Sequence, residues 1–141
     1  PVFHLDKLFW LPGWIERSKD EMAVDVEKIL DVNNSWVIDG NYKRVALESR
    51  IRKADLIIIL NFNPLLCTFR TIKRRLLHHN KTRADTGEGC NEKFDLEFLK
   101  YIWNYRKRNL VHTEKVLSHY SEKTILKFKN QFEVDSWLKE F

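Results

Sequence analysis

Two aspartates follow short apolar runs, and such positions can bring carboxylates together at one edge of a sheet. Asp6 comes after the run at 2–5, and Asp39 comes after the run at 36–38. Ligands of open α/β sheets bind outside the carboxyl ends of the strands, so both carboxylates are expected to face one crevice. There they can hold Mg²⁺ through water or accept a hydroxyl proton from a substrate. The alternative is that each aspartate caps a turn or helix.

A second group of candidate residues is basic. Arg70 and Arg74 are four residues apart and so lie on one face of a helix predicted to begin at Pro64. With Lys81 and Arg83 in the next segment they can clamp a polyphosphate, because a planar guanidinium binds phosphate oxygens in pairs. The alternative is an ordinary solvated basic helix face.

The excess positive charge is concentrated in one stretch. The 141 residues include 25 Lys or Arg and 20 Asp or Glu, a formal net charge of +5. Between Leu56 and Ala84 there are six basic residues and no carboxylate. Such concentrated charge attracts the phosphates of nucleotides or nucleic acids. A further basic set, for which helix-surface coverage is the stronger alternative, consists of Arg106, Lys107 and Arg108.

Short apolar runs alternate with amphipathic segments, which predicts an α/β fold. The β-prone runs lie at 2–5, 36–38, 56–60 and 124–128, and the helical patterns at 19–31, 43–53, 65–79, 94–120 and 132–139. This alternation implies a parallel sheet covered by helices on both faces, in a single domain over 1–141. The continuous aliphatic run at 56–60 is typical of a strand buried on both faces.

Composition argues against a membrane protein and against a disulfide framework. The longest apolar run, at 56–60, is far shorter than the roughly 20 residues that a membrane-spanning helix needs. These residues contain no signal-peptide or lipidation pattern. Cys67 and Cys90 belong to no C-x-x-C pair, so we expect two reduced thiols in a cytoplasmic protein without a membrane partner.

Several motifs in order resemble one bacterial family. They are PVFHLDKLFW and PGW within 1–14, WVIDGNY at 36–42, ADLIIIL at 54–60, KTRAD at 81–85, GEGC at 87–90 and DLEFL at 95–99. Across essentially its whole length the chain resembles the DNA topology modulation proteins of the FlaR type, which are P-loop proteins similar to adenylate kinase. The resemblance implies a P-loop kinase-like fold with a lid-like insertion at about 80–93. It also implies ATP and Mg²⁺ as cofactors at the carboxyl edge of the sheet.

The resemblance further implies roles for individual residues. Asp39, followed by Gly40, looks like the aspartate that lies near Mg²⁺ in adenylate kinases, where it would act through water. Arg70 and Arg74 are similar to arginines that contact the transferring phosphates, and Arg83 looks like a lid arginine. The implied catalytic set is therefore Asp39, Arg70, Arg74 and Arg83.

A second set of residues is implied to bind substrate. Adenylate kinases carry a phosphate-binding arginine after their Asp-Gly, and either Lys43 or Arg44 is near the matching position. Arg106 and Arg108 are weaker matches. The whole implied substrate-binding set is Asp6, Lys43, Arg44, Arg106 and Arg108.

One motif of this family is absent. The phosphate-binding loop, Gly-x-x-x-x-Gly-Lys-Ser/Thr, does not occur in the 141 residues. In the family it lies upstream of the segment that matches Pro1, after a central first strand. We therefore expect the first strand and the loop to be missing from this chain, which leaves two unpaired strand edges. Without the backbone amides that cradle the phosphates, the chain is expected to be inactive alone.

The resemblance implies a nucleotide-binding kinase or NTPase that transfers a phosphoryl group to an unknown small or nucleotide-like acceptor. The alternative is a basic nucleic-acid-binding module without catalysis, suggested by the basic stretch and a sequence pI of about 9.2. Direct binding of DNA is therefore also an expectation to test. A third alternative is a non-catalytic domain that binds a protein partner.

Overall fold

The structure of the chain is a computed structural model that describes residues 1–77, 81–91 and 95–140. It is a mixed α/β structure, as predicted. Its helices are α1 (Leu5–Phe9), α2 (Lys19–Val32), α3 (Leu47–Lys53), α4 (Pro64–Leu77), α5 (Leu96–Tyr105), α6 (Val111–Leu117) and α7 (Gln131–Leu138), with a π-helical turn at Arg106–Leu110. Its strands are β1 (Val2–His4), β2 (Trp10–Leu11), β3 (Ile15–Glu16), β4 (Val37–Asp39), β5 (Leu56–Leu60) and β6 (Thr124–Phe128).

The four predicted strands are confirmed, and they pair in parallel. β1 pairs with β4, so that His4 stands opposite Asp39. β5 pairs with β6, so that Leu60 stands opposite Phe128. Among the described residues these are two separate two-stranded sheets, where the sequence predicted one sheet, and β2 and β3 add a short antiparallel hairpin.

The chain divides into two compact units. The first contains the described residues of 1–53 and 75–94. Its core forms where Met22, Val26 and Leu30, spaced four apart on α2, pack with Leu5 and Phe9, all at most 5% exposed. This spacing is the apolar stripe expected of an amphipathic helix, so the predicted helix and its buried face are confirmed.

The second unit contains the described residues of 54–74 and 95–141. Its buried side chains include Ile59 on β5, Phe128 on β6, Leu110 at the end of the π-helical turn and Leu117 at the end of α6. A helix kinked near 108–109 was predicted there. The structure has a π-helical turn there, between α5 and α6, which inserts an extra residue into the helical repeat, and the kink itself stays a prediction.

Two details of the prediction are wrong. β5 is not buried on both faces, because Leu56, Ile58 and Leu60 are 36%, 43% and 55% exposed. The five aliphatic residues suggested two covered faces, but the described chain covers only one. The helix predicted at 43–53 begins at Leu47, because the preceding Ala46 has a left-handed φ of 47° that ends any regular helix there.

Candidate functional site

The parallel pair in the first unit brings together polar side chains at its carboxyl ends. The register places His4 opposite Asp39, and His4 Nδ1 lies 3.1 Å from Asp39 Oδ2. The Asp39 side chain remains 69% exposed. A carboxylate that orients an imidazole while facing solvent can accept further hydrogen bonds or hold a hydrated cation.

Asp6 lies at the same carboxyl end, in the first turn of α1. The hydroxyl of Tyr42 donates to Asp6 Oδ1 at 2.6 Å. This bond ties the segment after β4 to the segment after β1. Asp6 and Asp39 thus both stand where the sequence predicted them, at the ends of neighbouring parallel strands, and each already has a polar partner.

The loop after β4 carries the candidate residues Lys43 and Arg44, and Arg50 holds this loop in shape. The guanidinium of Arg50 donates to the carbonyl oxygens of Val45 at 3.1 Å, Gly40 at 3.2 Å and Tyr42 at 2.6 Å. Burial lowers the pKa of Arg50 to about 10, so the side chain remains charged at neutral pH. The three carbonyl groups replace the water that the buried cation has lost.

Gly40 is required at the start of the same loop. Its φ of 136° is rarely adopted by residues with a side chain, and a Cβ there would lie 2.7 Å from the Cβ of Leu5. The Asp39-Gly40 pair that the sequence singled out is therefore a carboxylate followed by a residue that lets the chain pass close to α1.

Replacing Arg50 with Met should destabilise the first unit by about 3 kcal/mol, because three carbonyl groups of the loop would lose their charged donor. Urea unfolding followed by tryptophan fluorescence measures this change. Arg52→Met, an exposed arginine on the same helix, is the control and should change stability by at most about 0.5 kcal/mol. Equal losses of stability for the two substitutions would contradict the role given to Arg50 in holding the loop.

The segment predicted to be a lid is described from Lys81 to Asn91, and there it packs on the β2–β3 hairpin. The indole Nε1 of Trp14 donates to Asn91 O at 2.8 Å, and Gly13 N donates to Gly89 O at 3.3 Å. Cys90 is 1% exposed, and its thiol donates to Leu11 O at 3.3 Å. The remainder of the predicted insertion at 80–93 lies outside the described residues.

Arg83 belongs to this packed segment. Its guanidinium lies 3.1 Å from Asp85 Oδ2, and its side chain is 17% exposed. The arginine proposed for the lid is therefore engaged with a carboxylate two residues away.

Gly87 fixes how closely this segment approaches the hairpin. A Cβ on Gly87 would lie 2.0 Å from the carbonyl oxygen of Trp10, a distance that only a backbone shift can relieve. The glycine is needed here for close backbone approach.

Gly87→Ala should displace the segment and destabilise the first unit by more than about 2 kcal/mol, as overpacking does. Urea unfolding measures the loss, and the fluorescence of Trp14 reports the displacement. Gly13→Ala is a suitable comparison, since its Cβ would meet nothing within 4 Å and only the strain of its φ of 81° is added. That strain costs about 1–2 kcal/mol. A smaller loss for Gly87→Ala than for Gly13→Ala would refute the close packing.

The parallel pair in the second unit gathers guanidinium groups at its carboxyl end. Asn61 continues the ladder beyond β5, with its N donating to Phe128 O at 2.8 Å. Arg106 donates through Nε to Asn61 Oδ1 at 2.8 Å and through Nη2 to Asn61 O at 2.9 Å. Arg106 opens the π-helical turn, a distortion that often occurs at functional sites.

Arg70 reaches the same strand end from α4. Its guanidinium carbon lies 5.2 Å from the ring centroid of Phe62, and Nη2 donates to Gln131 Oε1 at 3.2 Å. The start of α4 is fixed by Asn63, whose Oδ1 accepts from Leu65 N at 2.9 Å. The second unit therefore holds two guanidiniums in place near this strand end, Arg70 beside the ring of Phe62 and Arg106 on Asn61.

The nine residues of the implied catalytic and substrate-binding sets divide between the two units. Those in the first unit are Asp6, Asp39, Lys43, Arg44 and Arg83, and those in the second are Arg70, Arg74, Arg106 and Arg108. Arg74 is half-buried one turn after Arg70, and Arg108 is exposed in the π-helical turn. The polyphosphate clamp predicted from Arg70, Arg74, Lys81 and Arg83 remains a prediction.

Sequence reasoning missed four residues that shape these two strand ends: His4, Tyr42, Arg50 and Asn61. His4 is a polar residue within an apolar run and two positions before Asp6, which is a usable signal. Tyr42 follows Asp39-Gly40 closely enough to be considered. Arg50 had no such signal, because its role depends on a loop shape that spacing does not encode.

The described part of the chain contains no group of three His, Cys, Asp or Glu side chains suited to a metal ion. Nor does it contain a helix with the length and apolar character needed to cross a membrane. Comparisons with protein-family models, with curated proteins and with solved structures found no match.

Proposed function

We propose that this chain contributes the nucleotide- and acceptor-contacting residues of an ATP-dependent, P-loop kinase-like phosphoryl-transfer protein. The observation that carries the proposal is the pair of arginines at the carboxyl end of β5 and β6. Arg106 is anchored on Asn61, and Arg70 is anchored on Phe62 and Gln131. In α/β proteins, ligands bind at this end of parallel strands, and arginine forks match phosphate oxygens.

The anchoring contacts leave these arginines able to bind a ligand. Arg106 uses Nε and Nη2 on Asn61, and a guanidinium has further N–H groups on Nη1. Arg70 is exposed and lies over the Phe62 ring, an arrangement in which an aromatic base could stack beside the cation. These residues thus suit a ligand that combines phosphates with an aromatic base.

The first unit has acidic groups of its own at the carboxyl end of β1 and β4. Asp39, oriented by His4, is exposed enough to hold hydrated Mg²⁺ or to accept the proton of an acceptor hydroxyl. Mg²⁺ is typically held by one or two carboxylates, water and substrate phosphates, and Asp39 could provide such a carboxylate. When bound, the ion would neutralise phosphate charge.

Phosphoryl transfer depends mainly on positioning and charge neutralisation. This chain supplies arginines and carboxylates, but its sequence contains no Gly-x-x-x-x-Gly-Lys-Ser/Thr motif. We therefore propose that these 141 residues bind nucleotide phosphates without turning ATP over. The acceptor is a small or nucleotide-like molecule.

ATP should bind the chain with an affinity that falls as salt increases, because the contacts are ionic. Isothermal titration calorimetry with ATP measures this, with adenosine as the ligand that lacks phosphates. Arg70→Gln combined with Arg106→Gln should weaken binding by about tenfold or more, since each charged hydrogen bond contributes roughly 1.5–3 kcal/mol. Lys100→Gln, an exposed lysine on α5, is the control. Equal affinity for adenosine and ATP would refute the phosphate site.

A nucleic-acid-binding module without catalysis is the second candidate, favoured by the exposed Arg70 and Lys73 within the carboxylate-free stretch. A gel shift with duplex DNA at low salt tests it. Binding of this kind should weaken steeply with salt and survive Asp39→Asn, because phosphate contacts need no carboxylate. Absence of a shift at low salt would remove this candidate.

A further inference from the structure

The two arginines at the carboxyl end of β5 and β6 are held by neutral groups. Arg106 donates through Nε to Asn61 Oδ1 at 2.8 Å and through Nη2 to Asn61 O at 2.9 Å. Arg70 donates through Nη2 to Gln131 Oε1 at 3.2 Å and lies over the ring of Phe62. Within the described part of the chain, no carboxylate forms an ion pair with either guanidinium. Both arginines are therefore anchored without losing their positive charge to a counter-ion.

Arginines of the first unit are paired differently. Arg17 Nη2 lies 2.7 Å from Asp25 Oδ2, and Arg83 Nη1 lies 3.1 Å from Asp85 Oδ2. A carboxylate at this distance offsets much of the attraction that a guanidinium would exert on an added anion. The amide anchors thus distinguish Arg70 and Arg106 by leaving their charge available to a ligand.

Chemistry fixes which way the two anchoring amides point. A guanidinium has only donors, so each amide must turn its oxygen toward its arginine and its nitrogen away. The nitrogen of Gln131 donates to Asp135 Oδ1 at 2.8 Å, so this amide bonds to Arg70 on one side and to a carboxylate on the other. Gln131 thereby engages Asp135 in place of a direct ion pair with Arg70.

Asn61 is the more firmly placed of the two anchors. Its N donates to Phe128 O at 2.8 Å and extends the pairing of β5 with β6, and its residue is half-buried. The end of the sheet therefore sets the position of Arg106, the first residue of the π-helical turn. Holding an exposed arginine adds little to stability, but it reduces the entropy that the side chain loses when a ligand binds.

We propose that Asn61 is a specificity-determining residue of the phosphate site. Its neutral amide holds Arg106 in place and leaves the full charge of the guanidinium for a phosphate ligand. An aspartate at this position would hold the arginine equally well but would cancel that charge. This inference rests on the proposed function and deepens it: the ligand class is a polyphosphate with at least two negative charges, which match Arg70 and Arg106.

Asn61→Asp separates the anchoring of Arg106 from its charge. Isothermal titration calorimetry of the chain with inorganic tripolyphosphate and with ATP measures binding at low and at physiological ionic strength. Asn61→Asp should weaken both ligands at least about tenfold, because one charged contact is lost. It should also reduce the dependence of affinity on salt. The urea midpoint should not fall, because the aspartate keeps an acceptor for Arg106.

Two further variants serve as comparisons. Asn63→Asp makes the same change of charge two residues away, at an exposed position whose Oδ1 accepts from Leu65 N, a role that aspartate fills equally well. It should weaken binding by at most about twofold, because a more distant exposed charge is screened by salt. Asn61→Ala removes the side-chain anchor without adding charge and should weaken binding by about fivefold, through the lost ordering of Arg106.

A double substitution tests whether Asn61→Asp acts through Arg106. Arg106→Gln alone should weaken tripolyphosphate binding by about tenfold. Added to Asn61→Asp it should cause no further loss, since the charge that it removes is already cancelled. Residues that share one interaction give such non-additive effects, whereas independent residues give effects that multiply in the affinity.

The outcomes distinguish this inference from the proposed function. If the unsubstituted chain bound neither tripolyphosphate nor ATP, both would fall. If it bound them and Asn61→Asp left the affinity unchanged, weakened it only as much as Asn63→Asp, or multiplied fully with Arg106→Gln, the inference alone would fall. Should Asn61→Asp fail to fold, Asn61→Ala decides the question, and an unchanged affinity for that variant would overturn the role of Asn61.

Discussion

Parallel strand pairing is the constraint from which both candidate sites arise. Parallel strands end on the same side, so every residue that follows one strand is brought near the residues that follow its neighbour. In the first unit this places His4 beside Asp39, and in the second it places Asn61 beside the end of β6. The chemistry differs because acidic residues follow one pair of strands and arginines reach the other.

Each strand end is then fixed by contacts that have an energetic cost. Burying the guanidinium of Arg50 disfavours its charge, as its lowered pKa indicates, and the loop carbonyls of Gly40, Tyr42 and Val45 offset that cost. Arg106 likewise donates hydrogen bonds at a strand end of the second unit, but its side chain is exposed and these bonds go to one residue, Asn61. A buried arginine stabilises the fold, whereas an exposed and anchored arginine can still bind a ligand.

The sequence predicted the elements of the fold better than their packing. The strands at 2–4, 37–39, 56–60 and 124–128 follow from local patterns of apolar and β-branched residues, and their existence is confirmed. Burial depends on which other segments cover a strand, and this information is not local. The five aliphatic residues of β5 therefore suggested two covered faces, while Leu56, Ile58 and Leu60 leave one face exposed.

The candidate site residues likewise divide into those that local sequence patterns predict and those that depend on distant segments. Asp6 and Asp39 could be found because a carboxylate after a strand has a position that topology fixes. The hydrogen bonds from Tyr42 to Asp6 and from Arg50 to the loop carbonyl groups could not be predicted from the sequence, because both depend on the path of the loop after β4. Arg83 was expected to bind phosphate. In the structure its guanidinium lies 3.1 Å from the carboxylate of Asp85, which is only two residues away along the chain.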